Sequence, residues 1–118
     1  LTHRQLEGLR LMSTVQLPAQ DKEGYLVNLS DWREDVAIAL AVDEGVALEP
    51  AHWRVIHLLR EFYQATETSP AMRPLVKLVN EQLGAKCGSS VYLMQLFGGS
   101  PAKTVAKIAG LPRPTNCL

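Results

Sequence analysis

Apolar residues recur at helical spacing over most of this chain, and the strongest example is the segment 50–66. Its apolar side chains cover most of the helix circumference, and Pro50 suits the first position of a helix. The clearly polar positions fall on one line, formed by Arg54, His57, Glu61 and Gln64. We therefore predict a helix over 50–66 at the centre of the core, with Leu58, Leu59 and Phe62 buried.

The same spacing, together with residues that favour helix ends, predicts four further helices. Ser30 is a candidate N-cap for the first of them, which carries Trp32 in its apolar stripe. Ser69 and Pro70 favour the start of another helix, in which Pro74 predicts an irregular first turn or a bend. The four predicted segments are about 31–44, 70–83, 89–97 and 101–109.

Two other segments have different patterns. Residues 13–29 alternate apolar and polar positions on either side of a turn, which predicts a β-hairpin. In 110–118, Gly110 stops the last helix, and Pro112 and Pro114 favour extended backbone, which predicts an arm with few contacts to the body. The predicted fold is mainly α: a small helical domain with an N-terminal β-hairpin and a flexible C-terminal arm.

This pattern divides the chain into three parts. Residues 1–12 are predicted to be an N-terminal extension or a cloning remnant, because Met12 is a possible natural start. Residues 13–109 hold the hairpin and a helical bundle, and residues 110–118 form the arm. The length of 118 residues and the charged fraction of 20% fit one ordinary globular domain.

Composition excludes several classes of protein. The longest apolar run, 36–42, is too short to span a bilayer, and the N-terminus has no signal-peptide core. We therefore expect a cytoplasmic protein without a membrane partner. Cys87 and Cys117 form no C-x-x-C or zinc spacing, and the chain has only three histidines. We accordingly expect no metal and no cofactor.

Charge is segregated along the chain, although the net charge is zero. Residues 1–69 hold six basic and eleven acidic side chains, whereas residues 70–118 hold six basic side chains and one acidic. The basic half carries Cys117, so its charge could steer an acidic partner or stabilise a sulfur anion. Two solvated faces without a role are an equally good interpretation.

The thiol of Cys117 is the strongest candidate for chemistry. It lies one residue before the end of the sequence, on an arm that the prolines direct away from the body. Packing cysteines are normally surrounded by other residues, so this one suggests a thiol delivered into another protein's pocket. The alternative is a disordered tail with an incidental cysteine. Cys87, beside Lys86, is either an ordinary loop cysteine or a second activated thiol.

Several sequence features also resemble one known family. The arm and its approach read Ala102-Lys103, then Lys107-Ile-Ala-Gly-Leu-Pro-Arg-Pro, then Cys117; matching residues upstream include Gly24-Tyr-Leu, Trp32, His52-Trp53, Arg60-Glu-Phe-Tyr and Tyr92-Leu. These residues resemble the TusE/DsrC sulfur-relay proteins, in which the penultimate cysteine carries sulfur as a persulfide. The resemblance covers about residues 13 to 118.

The resemblance implies a sulfurtransferase-type persulfide carrier that acts as a relay intermediate. Sulfur would come to Cys117 from a TusBCD-like donor complex and pass to a tRNA thiouridylase of the MnmA type, for 2-thiolation of the wobble uridine. Contact with tRNA would be only indirect. The residues implied to support binding are Arg113, Lys103, Lys107, Arg60 and Arg73.

Two alternatives remain open. The DsrC branch, a partner of dissimilatory sulfite reductase, carries a second arm cysteine where this chain has Ala106, which favours the single-cysteine role. Val91 and the Phe97-Gly dipeptide also depart from the family pattern, so partner contacts at those positions do not transfer. From another class, 70–83 and 89–97 could form a helix-turn-helix, but the second helix has no Arg or Lys.

Overall fold

Five α-helices form the body of the protein in the computed structural model, which describes residues 16–115. After a short 3₁₀ turn, Leu29–Asp31, the helices are α1 Glu34–Asp43, α2 Pro50–Thr66, α3 Met72–Leu83, α4 Ser90–Phe97 and α5 Pro101–Ile108. The mainly helical fold is confirmed, and α2 has the predicted bounds. None of the helices within 16–115 is both long and apolar enough to cross a membrane.

The centre of the core is α5, which contacts each of the other four helices. The prediction that α2 is central was therefore wrong. Ala102 and Ala106 are buried on α5, and such small side chains let several helices approach one short helix closely. On the longer α2, Leu59 is fully buried as predicted. Leu58 and Phe62 are only partly buried.

The start of α1 differs from the prediction in a way that matters for the site. Ser30 is not its N-cap: α1 begins at Glu34, and Arg33 precedes it without a side-chain cap. Instead, the Asn28 side chain accepts the Ser30 N–H at 3.1 Å and supports the 3₁₀ turn. This local hydrogen bond competes with helix formation, so Trp32 lies in extended backbone between the two elements.

The start of α3 also differs from the prediction. The helix begins at Met72 with Ala71 as N-cap, so Ser69 does not cap it. Pro74 consequently falls in the first turn, where an N–H would have no intrahelical partner, and its presence is compatible with a regular helix. Among the described residues, the buried Ser69 hydroxyl has no hydrogen-bond partner.

The predicted hairpin is not present in the described part of the chain, and residues 13–15 lie outside it. One antiparallel bridge pairs Gln20 with Leu26, and residues 16–115 contain no longer strand. The turn between them is closed by the backbone, with the Asp21 N–H donating to the Tyr25 carbonyl at 2.8 Å, and by the Asp21 carboxylate, which accepts the Tyr25 N–H at 3.0 Å. Such a turn closes without an extended ladder.

A buried histidine connects α2 with the end of α4. His52 Nδ1 accepts the Glu49 N–H at 3.1 Å, which assigns the proton to Nε2. Nε2 then donates to the Leu96 carbonyl at 2.8 Å, and the Phe97 ring packs edge-on at 5.2 Å between centroids. These contacts fix the end of α4, from which the chain turns into α5.

Candidate functional site at the base of the C-terminal arm

The candidate site is the junction where α5 passes into the segment that carries Cys117. The structure describes this segment as far as Thr115. Cys117, the predicted persulfide acceptor, lies outside the described residues, as do the other residues of the predicted arm after Thr115. What the structure defines is how the body holds residues 110–115, the arm base.

A glycine-dependent turn ends α5. Gly110 has φ +71°, a left-handed conformation that favours glycine. Its N–H donates to the Lys107 carbonyl at 3.1 Å, and the Leu111 N–H donates to the Ala106 carbonyl at 2.9 Å. This pair of hydrogen bonds is the Schellman motif, which normally buries the residue after the glycine. Leu111 is accordingly only 3% exposed.

The last two carbonyls of α5 are capped by side chains from distant parts of the chain. Trp32 Nε1 donates to the Ile108 carbonyl at 2.9 Å. Arg60, on α2, donates from Nη1 to the Ala109 carbonyl at 2.6 Å. A cationic side chain at a helix C-terminus also interacts favourably with the helix dipole. The end of α5 is therefore bound to α2 and to the segment before α1.

The two capping side chains also contact each other. The Arg60 guanidinium carbon lies 3.8 Å from the centroid of the Trp32 ring, a stacked cation–π geometry. Burial lowers the pKa of Arg60, but a guanidinium keeps its charge at neutral pH. Gly110 lies against the same indole, so closely that a Cβ there would be 2.4 Å from Trp32 Cδ1. Trp32, Arg60 and Gly110 thus form one packed unit, which we call the arm clamp.

The arm base packs against the body, contrary to the prediction that 110–118 makes few contacts. Gly110, Leu111 and Pro114 are buried, Pro112 is half-buried, and Arg113 is exposed. The prolines do deny this segment helix and strand hydrogen bonds, but their apolar rings can still be buried. The prediction of a free arm is therefore wrong for residues 110–115, and it is untested beyond them.

Two further basic residues of the predicted site lie at the arm base. Arg113 Nη1 is 3.0 Å from Glu23 Oε1, and both side chains are about half exposed. Lys107 Nζ is 2.6 Å from Glu44 Oε1 and 5.3 Å from the centroid of the Tyr25 ring. Together with Arg60, these residues bring three of the five predicted supporting cations to one region.

The other two predicted supporting residues lie elsewhere. Lys103 belongs to the opposite end of α5, where it lines a groove of about 250 Å³ with Met72 and Met94. Arg73, the neighbour of Met72, is exposed. Within residues 16–115, neither Lys103 nor Arg73 forms an ion pair. Their supporting role stays a prediction.

Sequence reasoning missed the part that Trp32, Glu23 and Glu44 play at this site. Trp32 was assigned to a helix stripe, because its position in a continuous helix pattern gave no sign of a polar contact. Its partner carbonyl, at Ile108, is 76 positions away in sequence. No local pattern indicates a contact over such a separation.

The second thiol has its own surroundings. Cys87 is a free, half-buried cysteine on the loop between α3 and α4. Burial raises the pKa of the Tyr92 phenol, and the neighbouring Cys87 raises that pKa further, whereas Arg54 opposes the shift. Tyr92, the neighbour of Cys87, belongs to α4, and Arg54, which also acts on Tyr92, belongs to α2.

Comparison with known proteins decides the family. A family model described as DsrC like protein matches residues 14–118 of this chain. The chain belongs to the DsrC-like family. The matched range contains every helix described above and the whole arm, so the resemblance noted in the C-terminal sequence is confirmed.

Within the DsrC-like family, curated relatives carry the TusE name. The "Sulfurtransferase TusE homolog" of Haemophilus influenzae is 52% identical over 98 residues, which cover 83% of this chain and 90% of that protein. "Sulfurtransferase TusE" of Escherichia coli (strain K12) is 47% identical, with the same coverage of both chains.

Solved structures of DsrC proteins share the fold. The solution structure of Allochromatium vinosum DsrC has a TM-score of 0.78 and 45% identity, and the match covers 85% of this chain and 89% of that chain. The oxidized γ-subunit of dissimilatory sulfite reductase, DsrC, from Archaeoglobus fulgidus has a TM-score of 0.74 and 35% identity, covering 86% and 92%. Small helical domains of this family therefore resemble the present body closely.

Proposed function

We propose that this chain is a sulfur carrier that accepts persulfide sulfur on Cys117 and passes it on for 2-thiolation of the tRNA wobble uridine. Two lines of support agree. The curated relatives at 47–52% identity are named sulfurtransferases of the TusE type. The described body holds the base of the cysteine-bearing segment by capping, stacking and burial.

The observation that carries the proposal is that the segment leading to Cys117 in the sequence is anchored to the body. Leu111 and Pro114 are buried, and Cys117 follows Pro114 by three residues. The chain thus holds the segment that leads to Cys117 against the body. This arrangement suits a thiol that must be presented to other proteins from a defined place.

The proposed step is an exchange between a thiolate and a persulfide. The Cys117 thiolate attacks the outer sulfur of a donor persulfide, R–S–SH; a new S–S bond forms on Cys117, the donor S–S bond breaks, and the donor leaves as its thiolate. The proton on the transferred sulfur moves with it or exchanges with water. No net oxidation occurs, because one persulfide and one thiolate are consumed and one of each is formed.

The proposed partners follow from the relay. A TusBCD-like complex donates the sulfur, and an MnmA-type tRNA thiouridylase receives it, so the carrier meets tRNA only indirectly. The relay operates in the cytoplasm, where thiols stay reduced. Near the arm base, Arg113 and Lys107 are paired with Glu23 and Glu44, and Arg60 caps the Ala109 carbonyl, so these cations support the arm base through local contacts. Lys103 and Arg73 extend the basic half of the sequence.

Intact-mass measurement after incubation with a cysteine desulfurase and the donor complex tests this proposal. We expect the wild type and Cys87→Ser to gain the mass of one sulfur atom, and the gain to be lost on reduction. Cys117→Ser should gain none, because an alcohol forms no persulfide. A sulfur atom that maps to Cys87 in the wild type would refute the assignment.

A second candidate function is partnership with dissimilatory sulfite reductase, which the similarity to the DsrC γ-subunit of that enzyme from Archaeoglobus fulgidus favours. Ala106 stands against it, because this position holds the second arm cysteine of the DsrC branch. Here Ala106 is fully buried in the core on α5. Under this second function, intact-mass analysis would show a disulfide or trisulfide that involves both Cys87 and Cys117.

The helix-turn-helix interpretation finds no support in the site. The exposed side chains of α4 belong to Ser90, Val91, Met94 and Gln95, and none of them is cationic. A recognition helix needs donors and acceptors for base edges and cations for phosphates. We expect no salt-sensitive gel shift with duplex DNA.

A further inference from the structure

The end of α5 is capped more completely than a helix end at a protein surface requires. Its last four carbonyls belong to Ala106, Lys107, Ile108 and Ala109, and such groups are commonly satisfied by water. Here the Ala106 and Lys107 carbonyls accept backbone N–H groups of the Schellman turn. The Ile108 and Ala109 carbonyls accept hydrogen bonds from side chains. Every one of the four therefore has a partner within the described chain.

The two side-chain caps come from separate elements and connect three parts of the fold. Trp32 precedes α1, Arg60 lies on α2, and each binds a carbonyl at the end of α5. Their stacking at 3.8 Å ties the two caps together. Gly110 lacks a side chain where the indole lies, so the chain leaves α5 directly across the Trp32 ring. This geometry fixes the point and the direction in which the arm begins.

The remaining contacts of the arm base are less suited to set that direction. The Arg113–Glu23 pair is about half exposed on both sides, and exposed ion pairs hold long side chains only weakly. Leu111 and Pro114 are buried, but apolar burial is not directional. Hydrogen bonds and stacking are directional, so among the contacts that hold the arm base those of the arm clamp can define an angle.

A defined angle matters because the thiol lies far along the chain from the clamp. Cys117 follows Gly110 by seven positions, and seven steps of fully extended polyproline backbone would span at most roughly 20 Å. Over a span of up to that length, a tilt of about 10° at the base would move the thiol by up to about 3.5 Å, and reacting atoms must come within about 3–3.5 Å of each other. Small errors at the base therefore become large errors at the thiol.

We propose that Trp32 and Arg60 are positioning residues for sulfur transfer: they fix the departure of the arm from α5, so that Cys117 enters a partner's active site in a productive orientation. This inference rests on the proposed carrier function. Neither side chain takes part in the exchange of sulfur. Their loss should leave the thiol reactive toward small molecules and impair only its delivery to a partner protein.

Two variants weaken the clamp in different ways. Trp32→Phe removes the Nε1–H donor and keeps an aromatic face, whereas Arg60→Met removes the guanidinium and keeps a side chain of similar length. Arg54→Met is the matched control, because Arg54 is exposed on the same helix and its contact is with Tyr92. All variants are made in a Cys87→Ser chain, in which Cys117 is the sole thiol, and far-UV circular dichroism checks that each remains folded.

The test compares two reactions of the same thiol. For transfer from the persulfidated donor complex, we expect kcat to fall about tenfold or more in Arg60→Met, and less in Trp32→Phe, with KM nearly unchanged. The rate with a small aromatic disulfide reagent should change less than twofold. Arg60→Lys, which keeps the charge and a donor, should restore part of kcat. If the clamp variants lost as much rate with the small reagent as with the donor complex, the proposal would be overturned. It would also be overturned if neither clamp variant lost kcat with the donor complex.

A second measurement separates this inference from the carrier function itself. Nitroxide labels on Cys117 and on a cysteine introduced at the exposed Gln64 report distances by pulsed electron resonance. We expect the distribution to broaden in Trp32→Phe and Arg60→Met, and not in Arg54→Met. An unchanged distribution would refute the positioning role even if sulfur transfer occurs. If the wild type accepted no sulfur but the clamp variants broadened the distribution, only the carrier function would fail.

Discussion

Substituting Gly110 with alanine adds one carbon atom, Cβ, and thereby tests whether Trp32 lies against Gly110 in the arm clamp. Gly110 has φ +71°, and an added Cβ would meet Trp32 Cδ1 at 2.4 Å and Trp32 Cβ and Cγ at 2.8 Å. Contacts below 3.0 Å require something to move. The Trp32 ring would have to shift by about 1 Å to reach ordinary van der Waals distance, and it would then lose its place against Arg60 and Ile108.

The chain supplies a matched control in Gly45. It follows α1 with φ +73°, and the same pair of hydrogen bonds closes the turn: Gly45 N–H to the Val42 carbonyl at 3.0 Å and Val46 N–H to the Ala41 carbonyl at 2.8 Å. An added Cβ at Gly45 would meet nothing within 4 Å. The two glycines thus share a backbone conformation and differ in what lies beside them.

The expected magnitudes follow from this difference. A left-handed conformation costs a residue with a Cβ roughly 1–2 kcal/mol, which should be the whole effect of Gly45→Ala. Gly110→Ala adds overpacking against Trp32, typically 1–3 kcal/mol. We therefore expect Gly110→Ala to lose about 2–5 kcal/mol of unfolding free energy, and at least about 1 kcal/mol more than Gly45→Ala.

Urea unfolding followed by far-UV circular dichroism measures both losses without relying on tryptophan emission, which the substitution itself perturbs. The midpoints should shift while the slopes stay constant. If Gly110→Ala and Gly45→Ala lose equal free energy, Trp32 does not lie against Gly110, and the clamp as described is wrong.

Three further substitutions have expected outcomes. Leu59→Ala should lower the free energy of unfolding in urea by about 2–5 kcal/mol, because Leu59 is fully buried. The loss should exceed that of Leu58→Ala at a half-buried position, and a loss under about 1 kcal/mol would contradict the core assignment. Arg113→Ala should lower the free energy of unfolding by less than about 1 kcal/mol, since the ion pair of Arg113 with Glu23 is exposed. A larger loss in thermal or urea unfolding would assign Arg113 a structural role. Cys117→Ser should leave the unfolding midpoint unchanged, and a shifted midpoint would show that the thiol contributes to packing.

Local signals made α2 predictable. Pro50 supplies a preorganised first residue, and the bounds of α2, Pro50–Thr66, agree with the predicted segment 50–66. Glu49 and His52 close a reciprocal capping box at the same end, which is again a contact between near neighbours in sequence. Elements defined by such neighbours can be predicted because the interactions that form them are encoded within a few residues.

The error at Trp32 shows where local reasoning ends. The segment from Ser30 onward has the acids and apolar spacing of a helix, but the Asn28 side chain binds the Ser30 N–H and delays the helix to Glu34. The role of Trp32 then depends on the carbonyl of Ile108, 76 positions away. Tertiary packing decided this position, and sequence periodicity carries no information about it.

The candidate site could be predicted only in part, because some of its contacts depend on tertiary packing. The family resemblance predicts Cys117 as the persulfide acceptor, which lies outside the described residues, and it predicts supporting cations, of which Arg60, Lys107 and Arg113 lie beside the arm base. Burial of Leu111 was not predicted, because two prolines nearby were interpreted as a free arm. Prolines restrict backbone hydrogen bonding, whereas burial depends on the neighbouring surface, which only the folded structure defines.

The most direct test of the carrier function follows labelled sulfur through the relay. Sulfur-35 from a cysteine desulfurase is supplied with the donor complex, the thiouridylase and tRNA, and label is measured on this protein and on the tRNA. We expect wild type and Cys87→Ser to carry label and to support labelled tRNA, whereas Cys117→Ser should do neither. Label that persists on Cys117→Ser and disappears from Cys87→Ser would contradict the account and assign the chemistry to the Cys87 loop.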